Sequence, residues 1–79
     1  MTSEEIVMSI VVADADDWQV MYVNGKMYYQ DHDIPAEIVI RLWKDNIGKV
    51  PVFTKKEVDF DWLDGIGDFP IELEEVVFI

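Results

Sequence analysis

The run Asp59-Phe60-Asp61-Trp62-Leu63-Asp64-Gly65 has the density of carboxylates that a hard cation wants. A calcium loop takes ligands at positions 1, 3 and 5, glycine at 6 and glutamate at 12. Counted from Asp59, position 5 is Leu63, position 6 is Asp64 and position 12 is Pro70, so the run fails as a cation cage. Gly65-Ile66-Gly67 has the look of a phosphate-cradling turn, but no third glycine or lysine follows, and Asp64 and Asp68 flank it with charge that repels an anion. His32, the sole imidazole, stands between Asp31 and Asp33. Neighbours on an extended chain point to opposite faces, so adjacency does not make an acid–base pair. The hydroxyl residues Thr2, Ser3, Ser9 and Thr54 suggest no nucleophile–base spacing, and Thr54 with Glu57 has the pattern of a helix capping box instead. Among seventeen acids a carboxylate pair for glycoside chemistry could be drawn by chance, so their abundance carries no weight. The sequence predicts no catalytic residue, no metal ligand and no cofactor.

Binding is what the same residues suit. Asp59, Asp61, Asp64 and Asp68 surround Trp62 and Phe69, an acidic patch with aromatic anchors of the type that commonly dominates interface energy. These six residues are expected to meet a basic surface on another protein. A second surface is apolar. Either Met21, Val23 and Tyr28 on one face of a hairpin or the chain end Val76, Val77, Phe78 and Ile79 is expected to mediate self-association as a two-fold dimer.

Composition sets the frame for both expectations. Six Lys+Arg against seventeen Asp+Glu in 79 residues give a formal charge of −11, which repels nucleic acid and anionic membranes. An apolar share of 51% with 13% aromatics is enough to build one core, so the charge does not signal disorder. With no cysteine, disulfides and thiolate chemistry are absent, and a domain this small must rely on packing or oligomerisation. The start lacks the basic and apolar regions of a secretory signal, which reads as a cytoplasmic protein. Charge is unevenly laid out: residues 1–25 hold five acids and no base, residues 26–56 hold all six bases with four acids, and residues 57–79 hold eight acids and no base.

The elements that must position these residues follow from periodicity. Alternation of Ile6, Met8, Ile10 and Val12 with Val7, Ser9 and Val11 predicts a strand near 6–12. Asn24-Gly25 between 18–23 and 26–31 predicts a hairpin with a two-residue type I′ turn. Its register would place Met21 opposite Tyr28 and Val20 opposite Tyr29, with Trp18, Val20, Tyr22, Met27 and Tyr29 on the core face. Pro35 opens and Gly48 stops a helix over 35–47 whose wet side is Glu37, Arg41, Lys44 and Asp45. Val50–Phe53 and Lys56–Phe60 suggest short strands, and Asp61 ahead of Trp62-Leu63 a helical turn ending at Gly65 or Gly67.

The stretch Trp18 to Pro35, with Tyr22-Val23-Asn24-Gly25-Lys26 and then His32 and Ile34 ahead of the proline, resembles short uncharacterised bacterial and phage proteins. The resemblance implies no function. The residues together predict one small α+β domain: an antiparallel sheet led by the hairpin, one main helix, and an irregular acidic C-terminal part. They predict a non-catalytic acidic interaction module, in its sharpest form a DNA-mimicking inhibitor of a nucleic-acid-binding protein. The alternative is a self-associating structural or accessory subunit whose acidity serves solubility.

Overall fold

The computed structural model describes residues 7–79. Its elements in chain order are β1 (Val7–Asp14), β2 (Gln19–Val23), β3 (Lys26–Asp31), α1 (Ala36–Asp45), β4 (Val50–Glu57) and α2 (Phe60–Ile66), with a short 3-10 turn at Leu73–Glu75. The fold is α+β, a four-stranded mixed sheet in the order β3-β2-β1-β4. Ile6, the expected first residue of β1, lies outside the described residues.

The β2–β3 hairpin forms where Asn24-Gly25 demands it. Asn24 has φ 51° and Gly25 φ 87°, as a strand-compatible two-residue turn requires. Asn24 also ties this turn to β1, its side-chain oxygen accepting from the Ser9 N–H at 3.0 Å and its own N–H donating to the Ser9 carbonyl at 2.8 Å. The expected register holds only for the pairs next to the turn, Val23 with Lys26 and Tyr22 with Met27. A bulge then leaves Tyr28 without a partner, so Met21 faces Tyr29 and Val20 faces Gln30. One extra residue moves every later side chain of β3 to the other face, so Tyr29 joins Met21 instead of Val20.

β1, β2 and β3 form the expected antiparallel sheet, and a fourth strand makes the whole sheet mixed. β4 is one continuous strand and joins β1 in parallel, from Val7 with Val50 through to Asp14 with Glu57. Parallel pairing needs a crossover, which α1 provides by carrying the chain from the β3 edge over one sheet face to the far edge. Thr54 and Glu57 therefore sit within a strand and cap no helix. α1 itself is shorter than expected: Pro35 is its N-cap, and Asn46 ends it by donating from its side chain to the Leu42 carbonyl at 2.8 Å.

Over β1 and β2 both sheet faces are covered, whereas β4 is largely exposed. Met8, Ile10 and Met21 are buried under Leu42 of α1, with Val23, Tyr29, Ile38 and Val39 packed around them. On the opposite face Ala13, Val20, Tyr22 and Val58 are buried under Trp62, Leu63, Phe69 and Val76. The hairpin face expected to associate with another copy is thus an interior face: Met21 is fully buried, Val23 is half-buried, and only the bulged Tyr28 is exposed. The C-terminal segment is a strap. It bonds at one end to the hairpin, Met27 N–H to the Ile71 carbonyl and Leu73 N–H to the Gly25 carbonyl, and at the other to the end of β4, where Phe78 bridges Val58. Within it Val76 is buried and Phe78 half-buried against the core, while Val77 and Ile79 are exposed.

Candidate functional site

Strand register lines up carboxylates at one end of the sheet. Asp31, Gln19, Asp14 and Glu57 are consecutive partners across β3, β2, β1 and β4, so three of the four strands end in an acid at the same level. Adjacent strands lie roughly 4.8 Å apart, which keeps these charges in one field. The β1–β2 connection adds Asp16 and Asp17 there, with Asp16 held at φ 67° by its N–H bond to the Asp14 carboxylate at 3.1 Å. α2 follows β4 directly and brings Asp59, Asp61 and Asp64, with Asp68 just beyond. Lys55 approaches this group, 3.7 Å from Asp14.

Asp59, not Asp61, starts α2: its carboxylate accepts from the Trp62 N–H at 3.2 Å, and Gly67 closes the helix in the left-handed region at φ 77°. A carboxylate at a helix start is stabilised by the exposed N–H groups there, so Asp59 has a local structural task. Asp61 and Asp64 are exposed, and Asp68 is exposed while accepting from the Phe69 N–H at 2.8 Å. Trp62 is half-buried, packs into the core and meets Phe69 edge-on at 6.3 Å between ring centres. The tryptophan expected to anchor a partner is therefore an interior residue.

The structure assembles a different set of aromatics at the acids. A groove of about 410 Å³ runs between the β1–β2 connection and α2, lined by the exposed carboxylates of Asp17, Asp64 and Asp68 and by Trp18, Phe60, Leu63 and Phe69. Among the described residues no lysine or arginine lines it. A second hollow of about 300 Å³ shares Phe60 and is lined by Asp14, Asp16 and Glu57. Of the expected contact residues, Asp64, Asp68 and Phe69 come together in the groove, whereas Asp59, Asp61 and Trp62 do not line it. Asp17, Trp18 and Phe60 were missed. The signal in the sequence for Asp17 and Trp18 is the acidic run 14–17 leading directly into a tryptophan.

His32 serves this end as a pin. Its Nδ1 lies 3.0 Å from the Asp17 carbonyl, which can only accept, so that nitrogen carries the proton; its ring meets Trp18 edge-on at 5.0 Å. Trp18 is fixed further by donating from its indole N–H to the Gln30 side chain at 3.0 Å. The Asp31 carboxyl is held below its usual range, first by the His32 backbone N–H and then by the Tyr29 hydroxyl. Tyr22, beneath the strap, donates to the Pro70 carbonyl at 2.7 Å, and burial, with a smaller contribution from Asp68, pushes its phenol up to about 12.

Chemically the arrangement offers negative charge beside apolar rings. Apart from the Tyr22 hydroxyl, no buried side chain is polar or charged among the described residues, and none of their His, Asp and Glu groups converge in the number that would hold a metal ion. None of the described helices is long and apolar enough to cross a membrane. No family model, curated protein or solved structure matches the chain.

Proposed function

We propose that the protein is a non-catalytic interaction module that binds a basic surface of another protein with its acidic end. The observation that carries this reading is the groove in which Asp17, Asp64 and Asp68 stand beside Trp18, Phe60 and Phe69. A lysine or arginine side chain is recognised by that combination: its charge meets the carboxylates, while its stem or guanidinium lies on aromatic faces. Mimicry of DNA remains the sharper form of the proposal, and what supports it is the row Asp31, Asp14 and Glu57 at one sheet end, interrupted by Gln19. The aromatic lining favours a protruding basic side chain over a surface read by charge alone.

The test uses arginine and lysine oligopeptides as probes, followed by tryptophan fluorescence. The triple variant Asp17→Asn, Asp64→Asn, Asp68→Asn is expected to lose binding, whereas Glu37→Gln, Asp45→Asn, Glu74→Gln, with the same change in net charge, is expected to retain most of it. Equal losses in the two variants would show attraction to overall charge alone and reject the groove as the site. Displacement of a bound DNA-processing protein from duplex by the module would support mimicry.

A further inference from the structure

We propose that Asn24 is a site of spontaneous covalent conversion, which the closed hairpin guards against and which traps the hairpin open once it has occurred. The dipeptide carries the chemistry. In Asn24-Gly25 the nitrogen that follows the asparagine belongs to a residue with no Cβ, so little shields it from the carboxamide. The Gly25 nitrogen, losing its proton, bonds to Cγ of Asn24; the Cγ–Nδ2 bond breaks, ammonia carries the proton away, and a five-membered succinimide remains. Water then opens the ring. Cleavage between the nitrogen and Cγ gives aspartate, whereas cleavage between the nitrogen and the main-chain carbonyl gives isoaspartate, whose backbone runs through the former side chain. The other asparagine, Asn46, precedes Ile47, whose branched side chain crowds the same attack, and its carboxamide donates to the Leu42 carbonyl at 2.8 Å.

The fold holds Asn24 in a geometry that forbids ring closure. Closure needs the Gly25 nitrogen on the same side of the Cα–C bond as Cβ. With φ 51° and 87° the pair forms a type I′ turn. This is the mirror image of type I, so ψ of its first central residue is roughly +30°. For an L residue that value sets the following nitrogen nearly anti to Cβ, close to its greatest distance from Cγ. The carboxamide is also engaged elsewhere, because Oδ1 accepts from the Ser9 N–H at 3.0 Å. A near-attack arrangement therefore demands release of Ser9 and close to half a turn about Cα–C, which the hairpin does not allow.

The strap keeps the turn shut. Leu73 N–H donates to the Gly25 carbonyl at 2.8 Å, Met27 N–H to the Ile71 carbonyl at 2.8 Å, and Lys26 pairs with Glu72 at 2.9 Å. The two products differ in what they do to these bonds. Aspartate keeps an oxygen to accept from Ser9 and tolerates left-handed backbone, so the hairpin recloses. Isoaspartate adds a CH2 to the backbone between β2 and β3, so a two-residue turn no longer fits and the bonds to Ser9 and Leu73 lose register. A hairpin open long enough to react is thereby held with its strap loosened. Asn24 follows the end of β2 remote from Gln19 and the acidic row, so failure of either proposal leaves the other standing.

Incubation of the whole chain in mildly alkaline buffer, with and without guanidinium chloride, tests the guard. Peptide mapping by mass spectrometry reads replacement of NH2 by OH at Asn24, and chromatography separates the aspartate and isoaspartate peptides. Conversion is expected to be slower in the folded chain by roughly 10-fold or more, because the turn must first open. Leu73→Ala, which thins the strap's packing, and Tyr22→Phe, which removes its bond to Pro70, are each expected to speed conversion under folding conditions, with circular dichroism confirming that the sheet remains. Asn24→Asp is expected to melt near wild type, and the isolated isoaspartate chain to melt lower. Equal rates in the folded and unfolded chain overturn the guard, folded strap variants that convert no faster than wild type overturn the strap's part in it, and an isoaspartate chain with the wild-type midpoint overturns the trap.

Discussion

Gly25 and Gly65 separate two effects of a missing side chain. Neither has an atom within 4 Å of the position a Cβ would occupy, but Gly25 lies at φ +87° and Gly65 within helix α2. Gly25→Val should therefore destabilise by about 1–3 kcal/mol through backbone strain alone. Gly65→Ala should stabilise by about 0.5–1 kcal/mol by restricting the unfolded chain. Thermal midpoints of the two variants check both signs. Tyr22 makes a pH prediction. Its phenol ionises near the ordinary value of 10.0 when unfolded and at about 12 when folded, so folding favours the neutral form. That contribution is complete below pH 10.0 and is lost as pH rises through about 12. Tyr22→Phe should flatten this alkaline decline in denaturant unfolding and, by removing the bond to Pro70, cost about 1 kcal/mol at neutral pH.

Among elements, α1 shows what amphipathic pattern does and does not specify. Its apolar residues exceed what one sheet face can cover, and the surplus is outside: Ile40 is 53% exposed and Ile47, beyond the helix, 83%. Leu42→Ala should cost about 2–5 kcal/mol as a buried truncation. Trp43→Ala, although a larger deletion, should cost under about 1 kcal/mol because the ring is mostly in water. Chemical unfolding of the pair would show the helix misassigned in rotation if the two costs were reversed. The strap depends on contacts distant in sequence. Its bridge of Phe78 to Val58 and its bonds to Gly25 and Met27 explain why an apolar chain end in an acidic segment does not hang free.

For the molecule as a whole, salt should act in opposite directions on binding of a basic ligand and on the self-association expected from the sequence. A basic ligand at the groove is attracted through exposed charges screened over about 10 Å at 0.1 M ionic strength, so its affinity should fall steeply as salt rises. Two copies carrying −11 each repel, so self-association through any apolar contact should strengthen under the same change. Titration of the peptide probes and sedimentation in one salt series test both; a common direction would contradict one of the assigned forces.

The local determinants were legible from residues alone. Asn24-Gly25 requires its turn because positive φ at both central positions suits few other pairs, and the spacing from Ile38 to Trp43 requires a helix wherever it packs. The Tyr28 bulge was not legible, because a register shift is set by what packs on each face, and Met21 is claimed by α1 while Tyr22 is claimed by the strap. Nor was the parallel partner of β4, since Val50–Glu57 meets β1 across more than thirty intervening positions of sequence. The acidic composition was plain in the chain, but its focus was not. Asp17 and Trp18 meet Asp64 and Asp68 only because β1 and β4 run side by side in the same direction, so that both deliver the segments that follow them to one end of the sheet.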